Sequence, residues 1–486
     1  MTSKISNAFE VAPDSSPRRN LTPPAAKDDA LSQGAAESDL LGESYREEPS
    51  DTAWTGDRRH VPRDTPSAAA LVPDYVLSPG RVRRQKHKQV HAQRQASLAR
   101  HPHLLGFLVF LVLFTPIWIS FGGAITNPSL GTNATARIAE WSRDHGAEGL
   151  VTWIENLYYS HHPPPIGGKP PVAALPTQPK GASKPGPNVS DRVLDGGLPV
   201  PAALVPFPQT PLAGEGRWVP AGRLVGGLAA VYTTFMRPDA VHTSVVDGVA
   251  WMDTRLLSVR LYSGNYIPGG GPYKYNTPLG PSAEPTLVAA FNGGFRLDDS
   301  QGGYFTDGVT VRPLVVGAAS FVIYDNGMAT VGAWGTEVKM SPDVFAVRQE
   351  LRLLVDNGRP APGLATNQGA QWGTVLGNSI YVSRSGIGVT KDGALVYVGG
   401  PSLDALDLAR LLVRAGAVRA MELDINSAWV NLATFDPSAG GLATPANARD
   451  LLPSADMSGA YRYFASYWER DFFTLSARPQ PLGTAS

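Results

Sequence analysis

The chain of 486 residues balances 42 Lys and Arg against 42 Asp and Glu, so no global field favours a polyanionic partner. It has no cysteine, which excludes thiolate catalysis, cysteine-bound zinc and disulfide exchange. An exported domain of this chain must therefore rest on a sizeable core of its own.

Residues 1–100 are rich in Ser, Pro, Asp, Glu and Arg and poor in aromatics. They bury too little apolar surface to offset their ordering entropy, and a disordered cytoplasmic tail is expected. From Leu104 to Ile125 run 22 residues without a charge, dense in Leu, Val, Ile and Phe. At about 1.5 Å per residue such a helix (104–125) crosses a hydrocarbon core of about 30 Å, and lipid tolerates Pro116 inside it. Arg81, Arg83, Arg84, Lys86, Lys88, Arg94 and Arg100 precede the span, whereas Arg137 and Arg143 beyond it are offset by Glu140 and Asp144. The positive-inside rule then gives a single-pass cell-membrane protein, N-terminus cytoplasmic and C-terminal domain extracytoplasmic. Topology accounts for the basic run, so no nucleic-acid partner is read from it.

Residues 134–162 place Ile138, Trp141, Leu150, Trp153, Ile154 and Leu157 at near-helical spacing. Two short amphipathic juxtamembrane helices are predicted, broken near Gly146 or Gly149, with Trp and Tyr suited to a membrane interface. His161 and His162 read as a solvated helix end rather than metal ligands. Prolines then recur through residues 163–220, the composition of an extended spacer that would hold the next domain away from the bilayer.

Residues 221–475 are the one large folded unit expected. The runs 228–235, 256–262, 286–291, 320–324, 329–334, 351–355, 380–383 and 394–398 read as strands between Gly, Pro, Asn and Asp turns, with a hairpin at Asp392-Gly393. One helix is clear, with Ser402 as N-cap, Asp404 and Asp407 near its positive end and Gly416 as its stop. The fold class is therefore α+β, mainly antiparallel strands with few helices.

His242 is the sole histidine in this unit, which leaves no material for a Ser-His-Asp triad or a multi-histidine metal site. Chemistry must come from carboxylates, amides, arginines and hydroxyls. In the apolar run Ala420–Asn426, period two puts Glu422, Asp424 and Asn426 on one face, with the two carboxylates about 6 to 7 Å apart. Such a pair makes an acid beside a base, holds a divalent cation with Asn426, or spends Glu422 on a structural ion pair. Asn292-Gly293-Gly294-Phe295 ends an apolar strand, where glycines let backbone approach a ligand or turn with positive φ. Arg384-Ser385-Gly386-Ile387-Gly388 puts a fork-shaped cation at another strand end, suited to a phosphate or to an ion pair.

In that order the three clusters resemble the phosphodiester glycosidase family over residues 285–436. The resemblance implies hydrolysis of a sugar–phosphate phosphodiester at the anomeric position; no cofactor is expected other than a divalent cation that Glu422 and Asp424 could hold. It carries Asn292, Arg384 and Asp424 onto family positions, whereas Glu422 and Asn426 come from strand geometry alone. After Asp424 the family's glycine-and-serine run is replaced by Ile425-Asn426-Ser427-Ala428-Trp429. Trp429 is thus a candidate to stack a sugar ring beside Gly293, Gly294 and Asn426; Trp372 and Tyr304 are weaker platforms for which packing is the expected role. The expected function is a membrane-anchored hydrolase of an envelope glycoconjugate. Here Arg384 neutralises phosphate, Asp424 is nucleophile or base and Glu422 is partner acid. The alternative is a module that binds envelope glycopolymer without turnover. The oligomeric state is not legible.

Overall fold

The structure is a computed structural model that describes residues 87, 102–127, 130, 133–176, 196–366, 371–373, 381–427, 429–437, 441–452, 459–465 and 470–482. Contacts divide the chain into Met1–Lys88 and Gln89–Ser486, and every element below lies in the second unit. Helix α1 (Pro102–Thr126) contains Pro116 and exposes most of its apolar side chains. Its stretch Gly106–Thr126 is long and apolar enough to cross a membrane. Helices α2 (Ala134–Ser142) and α3 (Glu148–His161) follow, and the kink between them falls at Gly146, whose φ of 84° a side chain would strain. Helix α2 starts on Asn133, whose side chain accepts from the Ala136 N–H.

The remainder is built on three sheets whose strand pairs are all antiparallel. In the largest the order is β1 (Val219–Val225), β2 (Leu228–Met236), β3 (Asp247–Met252), β14 (Leu395–Leu403), β13 (Val382–Thr390), β15 (Ala417–Glu422), β11 (Leu353–Asp356), β12 (Arg359–Pro360). A second sheet runs β7 (Val309–Arg312), β6 (Tyr304–Thr306), β10 (Val344–Gln349), β8 (Ala319–Tyr324), β9 (Ala329–Ala333). The third runs β17 (Ala448–Asp450), β16 (Leu432–Phe435), β5 (Leu287–Asn292), β18 (Phe472–Ala477), β4 (Leu257–Tyr262). A short helical turn, α4, covers Leu297–Ser300.

The main core gathers Ile387, Tyr397 and Met421 from the first sheet with Phe321 from the second and Phe291 and Phe473 from the third. Phe291 and Phe473 stack at 5.0 Å between centroids, and Phe321 meets Phe473 edge-on at 4.9 Å. Helix α5 (Ala405–Arg414) buries Leu408, Leu411 and Leu412 in a separate core with Trp251, Val396 and Val398. The first sheet, which carries Arg384 and Glu422, is thus covered by apolar layers that fix its strands.

Three local expectations are corrected. The N-cap of α5 is Asp404, which accepts from the Asp407 N–H at 2.6 Å, because β14 still holds residues through Leu403. Arg384–Gly388 lies inside β13 rather than at its end, paired on both sides by β14 and β15. Strand β15 stops at Glu422, since the Asp424 carboxylate accepts from the Asn426 N–H at 2.9 Å and turns the chain. The proline-rich stretch is also not spacer throughout. Leu198 and Leu204 are buried, and Glu215 and Arg237 pair at 2.7 Å with almost no exposure.

Candidate active site

Asn292 closes β5 with every amide group engaged. Its Nδ2 donates to the Gly293 carbonyl at 2.7 Å and to Ser385 Oγ at 3.0 Å, while its Oδ1 accepts from Tyr397 Oη and the Asn431 N–H. Ser385 Oγ in turn donates to the Asp424 carbonyl at 3.0 Å. This relay ties β5, β13 and the segment after β15 together, so Asn292 positions the backbone that carries Asp424.

Glu422 and Asp424 do come close enough to act on each other electrostatically, but each faces its own arginine. Arg384 pairs with Glu422 and also donates to the Leu403 carbonyl at 2.9 Å and the Trp372 carbonyl at 3.4 Å. Its guanidinium is therefore spent within the fold. Burial raises Glu422 to about 7 against the pull of Arg384, and among the described residues its Oε2 has no hydrogen-bond partner. Asp424 pairs with Arg470 at 2.5 Å and is 4% exposed. Burial also pushes its carboxyl up, opposed by Arg470 and the Asn426 N–H. Among the described residues no group of three or more His, Asp or Glu could hold a metal, and the cations beside this pair are arginines.

The glycines serve neighbouring carboxylates. A Cβ on Gly293 would sit 2.5 Å from Asp471 Oδ1, and one on Gly294 would overlap Glu350 Oε1. Neither glycine has positive φ; close approach is what excludes a side chain here. Glu350 and Asp471 share the buried Arg348, each at 2.8 Å. Burial drives the Glu350 carboxyl well up despite Arg348, and Asp471 and Asp424 add to the rise.

Trp429 is buried, and the Arg470 guanidinium lies 4.5 Å from its ring centre, so one cation bridges Trp429 and Asp424. Trp372 and Tyr304 sit in apolar cores, with Tyr304 Oη bound to Ser263 at 2.9 Å; neither presents a platform. His242 pairs with Asp239 at 2.7 Å, away from these residues' partners.

Sequence reasoning did not find Arg296, Arg348, Glu350, Arg470 or Asp471, which are isolated charges with no local spacing signal. It also missed Glu140. That residue, on α2, is 3% exposed and reaches into the site: Oε2 accepts from Arg296 at 2.7 Å, and Oε1 from Arg143 at 2.5 Å and Asn426 Nδ2 at 3.0 Å.

Residues 285–424 match the phosphodiester glycosidase family, a segment that begins just before β5 and ends on Asp424. Over those residues the chain is similar to phosphodiester glycosidases. No curated protein matches the chain. Among solved structures, the catalytic domain of zebrafish N-acetylglucosamine-1-phosphodiester α-N-acetylglucosaminidase is 17% identical, covering 53% of this chain and 87% of that one with a TM-score of 0.34. A hypothetical protein from Synechocystis is 13% identical over 53% of this chain and 64% of that one, with a TM-score of 0.28. The matched segment holds Asn292, Glu350, Arg384, Glu422 and Asp424, while Arg470 and Glu140 lie outside it.

Proposed function

We propose that this protein is a membrane-anchored, extracytoplasmic hydrolase that cleaves a sugar–phosphate phosphodiester of an envelope glycoconjugate. The observation that carries this reading is Asp424, the last residue of the family match, held beside Arg470 in a water-poor site. Asp424 is the carboxylate that attacks the anomeric carbon or takes the proton of the attacking water. Arg470 offsets charge on the departing phosphate. Glu422, poised near neutrality by burial, supplies a proton. Arg384 supports Glu422 rather than meeting phosphate, which departs from the role its sequence motif implied.

The anchor is α1, and the basic residues before it favour a cytoplasmic N-terminus. The test is release of sugar from a synthetic sugar-1-phosphodiester by the purified full-length protein in detergent. Asp424→Asn is expected to lower turnover by at least about 100-fold; full activity in that variant overturns the assignment. Binding of the diester by the wild type with no turnover would instead support the glycopolymer-binding alternative.

A further inference from the structure

We propose that Arg296, Arg470 and the Asn426 amide form an anion subsite for a phosphate group, and that the Glu140 carboxylate holds that group's place. Naming the anion as the substrate's own phosphate rests on the hydrolase reading above; the existence of the subsite does not. Arg296 lies within the matched segment, yet among the described residues its two ion pairs are with Glu140 at 2.7 Å and Asp144 at 3.0 Å. Both partners come from the α2–α3 segment, outside the family match. Arg296 is only part-buried in place, its side chain 16% exposed, so it would face an opening once that segment moved.

The Glu140 carboxylate takes hydrogen bonds from two domain groups, Arg296 and Asn426, as a phosphate oxygen pair would. Burial alone would raise its carboxyl; Arg143, Arg296 and Arg470 outweigh burial and hold it ionised below the usual range. Asn426 lies two residues past Asp424, and Glu140 and Asp424 sense each other's charge. A phosphate seated where Glu140 now sits would therefore lie beside the carboxylate assigned to the chemistry. A phosphate group, a monoanion in a diester and a dianion once released, presents its non-bridging oxygens to forked guanidinium groups as the Glu140 carboxylate does, so phosphate is the ligand class this site fits best. Helix α2 and the ligand compete for one place.

The experiment is calorimetric titration of the full-length protein in detergent with inorganic phosphate at constant ionic strength. Glu140→Gln is expected to bind phosphate at least about tenfold more tightly than the wild type, a gain of about 1.4 kcal/mol. Glu155→Gln removes an equal charge from the same helical segment at a carboxylate paired with Arg143 rather than Arg296, and should leave the affinity unchanged. Adding Arg296→Gln to Glu140→Gln should abolish the gain. An unchanged affinity in Glu140→Gln overturns the proposal, as does a gain that survives Arg296→Gln. If phosphate affinity rises while no sugar is ever released, the subsite stands and the hydrolase reading falls. If sugar is released while phosphate affinity stays unchanged, the hydrolase reading stands and the subsite falls.

Discussion

Gly294 shows how a single residue is dictated by its surroundings. Its missing side chain is the space that the Glu350 carboxylate fills, so Gly294→Ala displaces Glu350 from Arg348. The expected cost is about 1–3 kcal/mol of stability, read as a lower midpoint in urea denaturation. Glu422 makes a prediction of a different kind. Its proton is held more tightly in the folded protein than in the unfolded chain, at about 7 against an ordinary 4.5. The stabilisation is complete below the ordinary value and is lost as pH rises through about 7, on the order of 3 kcal/mol in all. Urea titrations between pH 5 and pH 8 should show this decline, and Glu422→Gln should flatten it. At this scale the sequence singled out two buried carboxylates but not the partners that hold them. Period two picked out Glu422 and Asp424, because polar groups in an apolar run stand out locally. The arginines that pair with them, Arg384 and Arg470, stand 38 and 46 residues away, and no spacing rule links such distant single charges.

Helix α5 and the β13–β14 hairpin were legible because their signals are local. The hairpin forms at Asp392-Gly393, where Gly393 takes a φ of 86°. The helix has an apolar face and an acidic start, and only its first residue shifts, since Ser402 and Leu403 complete β14. Asp404→Ala should remove the cap and cost about 1 kcal/mol by chemical denaturation, whereas Ser402→Ala should cost much less. Strands β10 and β18 fell outside the predicted runs for a physical reason. Arg348 and Gln349 in β10 are buried polar residues whose partners lie elsewhere in the chain, and buried Thr474 interrupts the apolar run of β18, so neither strand reads as wholly apolar. The antiparallel α+β class survived because it follows from many turn-bounded runs rather than from any one of them.

At the scale of the molecule, the segment before β1 is fastened to the sheets by the Glu215–Arg237 pair and by the Leu198 N–H bonded to Asp253 at 2.7 Å. Proline content gave no sign of this docking. Arg237→Ala leaves the Glu215 carboxylate buried without its partner and should cost about 3–5 kcal/mol in global stability. The other end of this region has a wider consequence. Arg137 donates to the Ile125 carbonyl at 2.8 Å, Trp141 donates to Ser120 at 3.0 Å, and Glu140 lies between them in sequence while bonded to Arg296. With α1 in a bilayer, Glu140 and the Arg296 bound to it would stand near the height of the lipid headgroups. A molecule dissolved in bulk would then have to approach sideways against the membrane, whereas one anchored in the same leaflet diffuses in two dimensions. Confinement of that kind raises local concentration to the order of millimolar, so cutting the protein from α1 should penalise anchored substrates far more than dissolved ones.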